Sequence, residues 1–172
     1  MFFLIAANTL SFSVYAQKNT SFQRVEQIAA SSSAPLLVYQ YSYWCGSGAE
    51  TLDSLMVILR KYRSQYRFLV LTDSASFKKQ SENIRSLQPD YFLADNSYHN
   101  LNYRKAKKLA KNFKEAWGYD PQVFGPGSSF LLTCEGRLKK FFQFWEEDRG
   151  DYHKAFRKSL EAELSSLMPC SN

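Results

Sequence analysis

Histidine is almost missing from this chain of 172 residues: only His99 and His153 occur, far from each other and from Cys45 in sequence. The cysteines number three, Cys45, Cys134 and Cys170, and no two of them have the spacing of a metal-ligand pair. The expectation is therefore no metal and no cofactor. Internal repeats and low-complexity segments are absent, which sets aside a repeat architecture. Charge is absent from Met1 to Ala16. That stretch is mostly apolar, yet it falls short of the about 20 residues that a membrane-spanning helix needs.

Those first residues end in Val14-Tyr15-Ala16 ahead of the polar Gln17-Lys18-Asn19-Thr20. They read as a secretory signal, 1–16, with an Ala-x-Ala-like cleavage site after Ala16, although the usual basic start is missing. A mature chain would begin at Gln17, exported to the periplasm or secreted, with no stable membrane span after cleavage. An odd number of cysteines in an exported protein leaves one free or paired with another molecule. The economical arrangement is a structural disulfide between Cys134 and Cys170, which ties the tail to a hairpin and leaves Cys45 reduced. The residues alone leave the other pairings open.

What is present is a globular composition, 45% hydrophobic and 16% aromatic, enough for a sizeable single core. The net charge of +6 and pI of about 9.2 bear on association and not on fold. Six basic residues, Arg104, Lys105, Lys107, Lys108, Lys111 and Lys114, crowd one predicted helix. The aromatic interleaving of a nucleic-acid platform is missing there, because Phe113 and Trp117 fall on the apolar face. A solvated face, and no nucleic acid, is the reading.

Periodicity divides the chain into alternating elements. A short amphipathic helix is expected over Ser21–Ala30, closed by Ser31-Ser32-Ser33 and Pro35. A strand is expected over Pro35–Tyr41 and a helix over Ala49–Tyr62, with Leu52, Leu55, Met56, Leu59 and Tyr62 on one face. Arg67–Leu71 is a second buried strand, parallel to the first because a helix crosses between them. Ser76–Leu87 reads as a polar helix with Ser76 as N-cap, and Tyr91–Ala94 as a short strand. Asn102–Trp117 is a helix stopped by Gly118. A loop over Tyr119–Ser128, a hairpin of Ser129–Thr133 and Leu138–Trp145 around Gly136, and a helix over Asp148–Leu164 complete the order.

Cys45 falls where the first strand turns into the next helix. Unpaired N–H groups and the helix dipole favour an anion there, so a thiolate is stabilised and the thiol pKa falls. Glu50, just behind it, complements the same dipole.

Trp44-Cys45-Gly46-Ser47-Gly48 at a strand end resembles the Trp-Cys-Gly-x-Cys motif of the thioredoxin superfamily, and the order of elements resembles its periplasmic, cytochrome-maturation type. The resemblance covers Ala34 to Leu164. It implies an α/β thioredoxin-like sandwich, a central mixed β-sheet with helices on both faces. The implied organisation is a signal over 1–16, an N-terminal helical segment over 17–33, the thioredoxin-like domain over 34–168 and a tail over 169–172. The motif is degenerate: Gly48 stands where the family has its second, resolving cysteine. Counting back from Gly136, the family's cis-proline position falls on Ser128, with Pro126 two residues too early, and the family's buried acid would fall near Tyr39.

The resemblance implies Cys45 as the catalytic residue, with Trp44, Gly46, Ser47, Gly48 and Ser128 binding the substrate. Tyr41, Tyr43, Trp44 and the Phe124–Ser129 loop would frame a surface for an extended peptide or a small hydrophobic ligand. The function so implied is single-cysteine thiol-disulfide exchange with protein thiols or disulfides. The alternatives are a non-catalytic thioredoxin-like module binding an envelope protein partner and, because Cys45-Gly46 is also similar to the glutathione peroxidase entry into its helix, a thiol peroxidase.

Overall fold

The structure is a computed structural model, and it describes residues 21–42, 55–79, 85, 88–99, 101–142, 152–168 and 170. The expected signal over 1–16, the Trp44–Gly48 motif with Cys45, and Glu50 lie outside the described residues.

Strand β1 (Leu36–Gln40) pairs in parallel with β2 (Arg67–Thr72), which pairs in parallel with β3 (Tyr91–Ala94). On its other side β1 pairs antiparallel with β4 (Ser129–Leu132), and β4 continues antiparallel into β5 (Leu138–Phe142). The sheet is five-stranded and mixed, in the order β3-β2-β1-β4-β5. Every residue of β1 is buried, the pattern of a central strand covered on both faces.

Among the described residues it is accompanied by the helices α1 (Ser21–Ala30), α2 (residues 55–61), α3 (Ser74–Lys79), α4 (Tyr103–Trp117) and α5 (Tyr152–Ser165), and by a 3-10 turn over Asn96–Tyr98. The period of two along a strand sorts its side chains between two cores. Leu37, Tyr39 and Tyr41 meet Leu55, Ile58 and Leu59 of α2 and Phe156, Leu160 and Leu164 of α5. Leu36 and Val38, on the opposite face, meet Phe22, Val25 and Ala29 of α1 and Leu109, Ala110 and Phe113 of α4. Helices thus cover both faces, as expected. At about 1.5–3 kcal/mol for each large apolar side chain buried, these two layers supply the main drive to fold.

The Asn102–Trp117 expectation is met to the residue at its caps. Asn102 is extended, and its side-chain oxygen accepts the Lys105 N–H at 3.0 Å. Gly118 takes φ 73° and donates its N–H to the Lys114 carbonyl at 2.7 Å. A Cβ at Gly118 would meet nothing within 4 Å, so only the left-handed backbone opposes a side chain there. Gly118→Ala is expected to cost about 1–2 kcal/mol, read as a lowered midpoint with unchanged slope in urea unfolding. At the end of α4 the Trp117 indole N–H donates to the Gly136 carbonyl at 3.0 Å, docking the helix on the β4–β5 turn.

One helix start differs from expectation. α3 begins at Ser74, and the residue capping it is Asp73 in place of Ser76. The Asp73 carboxylate accepts the N–H groups of Ala75 and Ser76, each at 2.9 Å, while Ser76 lies inside the first turn and donates its hydroxyl to the same carboxylate. Either residue type caps a helix well; the aspartate comes first along the chain and takes both donors. In the β4–β5 turn, Cys134 is joined by a disulfide to Cys170 beyond α5, with Cα atoms 5.7 Å apart.

Candidate functional site

The carboxyl ends of β1, β2 and β3 share one edge of the sheet, the edge at which open α/β sheets present their ligand sites. The chain leaves β1 there under tight restraint. Tyr41 donates its N–H to the Leu71 carbonyl at 2.9 Å, and the Thr72 hydroxyl donates to the Tyr41 carbonyl at 2.8 Å. The Gln40 carboxamide, wholly buried, donates through Nε2 to the Tyr41 carbonyl at 3.3 Å and to the Ser42 hydroxyl at 3.1 Å. Its Oε1 is buried with no donor among the described residues. Tyr41 is therefore held by both Gln40 and β2, and Ser42, the last described residue before the Cys45 motif, is tied to Gln40.

Beside β1, the turn over Gly125–Ser128 leads into β4. The Ser128 N–H donates to the Gly125 carbonyl at 2.9 Å, its hydroxyl accepts the Gly125 N–H at 3.1 Å, and its carbonyl accepts the Gln40 N–H at 2.9 Å. Gly127 takes φ 85° and donates its N–H to the Gln40 carbonyl at 2.9 Å. Ser128 is fully buried, and among the described residues no peptide bond is cis.

On the other side of β1, at the end of β2, Asp73 is fully buried. Burial alone would raise its pKa, but the Ser76 hydroxyl and N–H, His99 and the Ala75 N–H outweigh that and hold the carboxyl below the ordinary aspartate range. The His99 Nδ1 lies 3.3 Å from Asp73 Oδ1, with the imidazole about half exposed. A carboxyl depressed in the folded state contributes stability that is present above its unfolded pKa of about 3.9 and is lost as pH falls through the folded value. Denaturant unfolding from pH 7 down to pH 2 is expected to show that loss, and Asp73→Asn to flatten it.

No protein-family model and no curated protein matches the chain. Among solved structures it is similar to a thioredoxin-like protein determined in solution in its oxidised form, at 15% identity and a TM-score of 0.50 over 80% of this chain and 82% of that one. The fold is thioredoxin-like. Further likenesses are to a thiol:disulfide interchange protein from Bacteroides sp. (14% identity, TM-score 0.48, 82% of this chain and 78% of that one). A bacterioferritin comigratory protein of Xanthomonas campestris, described for alkyl peroxide reduction, matches at 20% identity and TM-score 0.44, over 77% of this chain and 82% of that one.

Within the thioredoxin-like frame, Ser128 lies directly beside the end of β1, against Gln40, though all of its polar groups are engaged within the chain. Tyr41 and Phe124, expected on a ligand-facing surface, are both buried, and they belong to different cores on opposite faces of the sheet. Their bulk serves packing, so neither ring is open to a ligand. The six basic residues of α4 are all exposed, as a solvated face requires. Lys111 pairs with Glu115, and Lys114 with Asp120. Among the described residues no cluster of three metal-ligating side chains occurs, and no helix is long and apolar enough to cross a membrane.

Two features of this edge escape a reading of the chain. Gln40 stands inside an apolar run and carries no pattern that marks it. Asp73 could have been found from Asp73-Ser74-Ala75-Ser76, a capping sequence at a strand end, but its link to His99 spans 26 residues and has no local signal.

Proposed function

We propose that this thioredoxin-like protein is an exported thiol-disulfide exchange protein that works through Cys45 alone. The observation that supports the reading most is the restrained end of β1. Cys45 follows Ser42 by three residues, so its Cα lies within about 11 Å of Ser42 along any path of the chain. With Cys134 and Cys170 joined to each other, Cys45 is the one cysteine left for chemistry.

In the proposed reaction the Cys45 thiolate attacks one sulfur of a substrate disulfide. A Cys45–substrate S–S bond forms, the substrate S–S bond breaks, and the departing thiolate carries off the electron pair and takes a proton from water. Gly48 offers no second thiol, so an external thiol must attack the mixed disulfide, restoring Cys45 and joining the two outside sulfurs. Trp44, Gly46, Ser47 and Gly48 would border the bound substrate, with the Ser128 turn as a wall of the site. The signal over 1–16 would deliver the domain over 34–168 to the periplasm or the exterior, where disulfide substrates persist.

The test is incubation of the mature chain with glutathione disulfide, followed by intact mass. A single glutathione adduct on Cys45 is expected, lost entirely in Cys45→Ser; an adduct of equal yield in that variant would refute the proposal. Gly48, in the resolving position, favours the reading as a binding module for an envelope protein. An alkylation rate at Cys45 no faster than that of a free thiol, with partner capture unchanged in Cys45→Ser, would select it. Rapid loss of the Cys45 thiol with hydrogen peroxide would select a peroxidase.

A further inference from the structure

At the carboxyl edge of β2 and β3 a cleft of about 470 Å³ is lined by Ser74, Ala75 and Lys78 of α3, by Asn96 and His99 of the connection after β3, and by Lys105 of α4. Ser128, the described residue assigned to the Cys45 site, is not among its lining residues. Its chemistry is one-sided: two ammonium groups, an imidazole, a hydroxyl and a carboxamide. Of the acids near it, Asp73 is wholly buried beneath the imidazole and engaged with Ser76, Ala75 and His99, and Asp95 borders the adjoining hollow, its carboxylate accepting the Ser97 N–H.

The buried carboxylate decides how His99 presents itself. An ionised Asp73 accepts a hydrogen bond and donates none, so His99 Nδ1 carries the proton of that contact and the ring is fixed with Nε2 as its remaining functional atom. Once protonated, Nε2 becomes a donor as well. Lys105 already donates to the His99 backbone carbonyl at 2.8 Å, which holds its ammonium at this wall of the cleft with two further hydrogens to give. Lys78 reaches the cleft from the opposite wall. Such convergence of cationic donors on a concave surface is the arrangement that binds oxyanions by charge-assisted hydrogen bonds.

We infer that the cleft between α3 and the start of α4 is an oxyanion site, taking a carboxylate or phosphate group between Lys78, Lys105 and His99. The charged and titratable groups at or bordering the cleft among the described residues are Asp73 from the end of β2, Lys78 from α3, Asp95 and His99 from the connection after β3 and Lys105 from α4. The inference does not depend on Cys45.

The experiment is an amide and imidazole NMR titration of the mature chain at pH 6, with inorganic phosphate in one arm and succinate in the other, at constant ionic strength. Saturable shifts confined to residues 74–78, 96–99 and 105 are expected in at least one arm, and the arm that saturates identifies the source as phosphate or carboxylate. Lys78→Gln should weaken binding about tenfold, the effect of losing one hydrogen bond to a charged group. His99→Gln should weaken binding likewise; should that variant fail to fold, Lys78→Gln alone carries the test, since Lys78 does not touch Asp73. Shifts that never saturate, that spread along the basic face of α4, or that persist unchanged in Lys78→Gln would overturn the site.

Discussion

Phe113→Ala is expected to lower the unfolding free energy by about 3–5 kcal/mol, the cost of emptying a large buried aromatic site. Phe113 is completely buried and sits at the centre of a group of rings. Phe22, Trp117, Phe124, Phe130 and Phe141 surround it, with ring centroids 4.7–5.6 Å away, Phe22 and Phe130 meeting it edge-on at 88° and 83°. Alanine forfeits the transfer of the ring from water and leaves a cavity that rings held by α1, α4, β4 and β5 cannot collapse to fill. Each edge-to-face pair adds about 0.5–1.5 kcal/mol that goes with it. Because a domain is stable by only about 5–15 kcal/mol, the variant should sit near the edge of folding. Equilibrium urea unfolding with the disulfide intact checks this. A loss under about 1 kcal/mol would mean that Phe113 is not the centre of this core, and Phe113→Leu, which keeps most of the volume, should cost clearly less.

Replacing Cys134 and Cys170 together by serine should destabilise the protein by a comparable amount. The bridge closes a loop of 36 residues that contains β5 and α5. Releasing it returns to the unfolded chain a loop entropy worth about 4 kcal/mol at 25 °C. For a chain of this size the melting temperature should fall by roughly 10 °C. Thermal unfolding of the double variant, beside the parent protein with and without reductant, measures it. The reduced parent should match the double variant. A melting temperature unchanged by either treatment would show that α5 is held by its packing of Phe156, Leu160 and Leu164 alone.

Both expectations rest on features of differing visibility in the chain. The spacing of Ala106, Leu109, Ala110 and Phe113, bounded by Asn102 and Gly118, marks α4 and its buried stripe without reference to anything else. The same holds for α1, whose Phe22, Val25 and Ala29 lie one helical turn apart, and for β1 and β2, whose uninterrupted apolar runs imply burial on both faces. The parallel pairing of β1 with β2 follows from the helix needed to cross between them. The expected start at Ser76 failed because two capping residues stand three positions apart, and local preference does not rank them.

Local rules thus set the elements, their order and the burial of their faces, because turn chemistry and periodicity act within a few residues and need no distant partner. The fold settled which side chains meet: Thr72 bracing the Tyr41 carbonyl, Tyr41 and Phe124 parted into opposite cores, Asp73 beneath His99, and Lys78 sharing a cleft with Lys105. Those meetings depend on strand order and on the packing of α3 and α4 against one sheet edge. Contacts between residues 26 or more positions apart leave no periodic trace in a chain; they come into being when hydrophobic burial on both faces of the sheet brings its carboxyl ends into line.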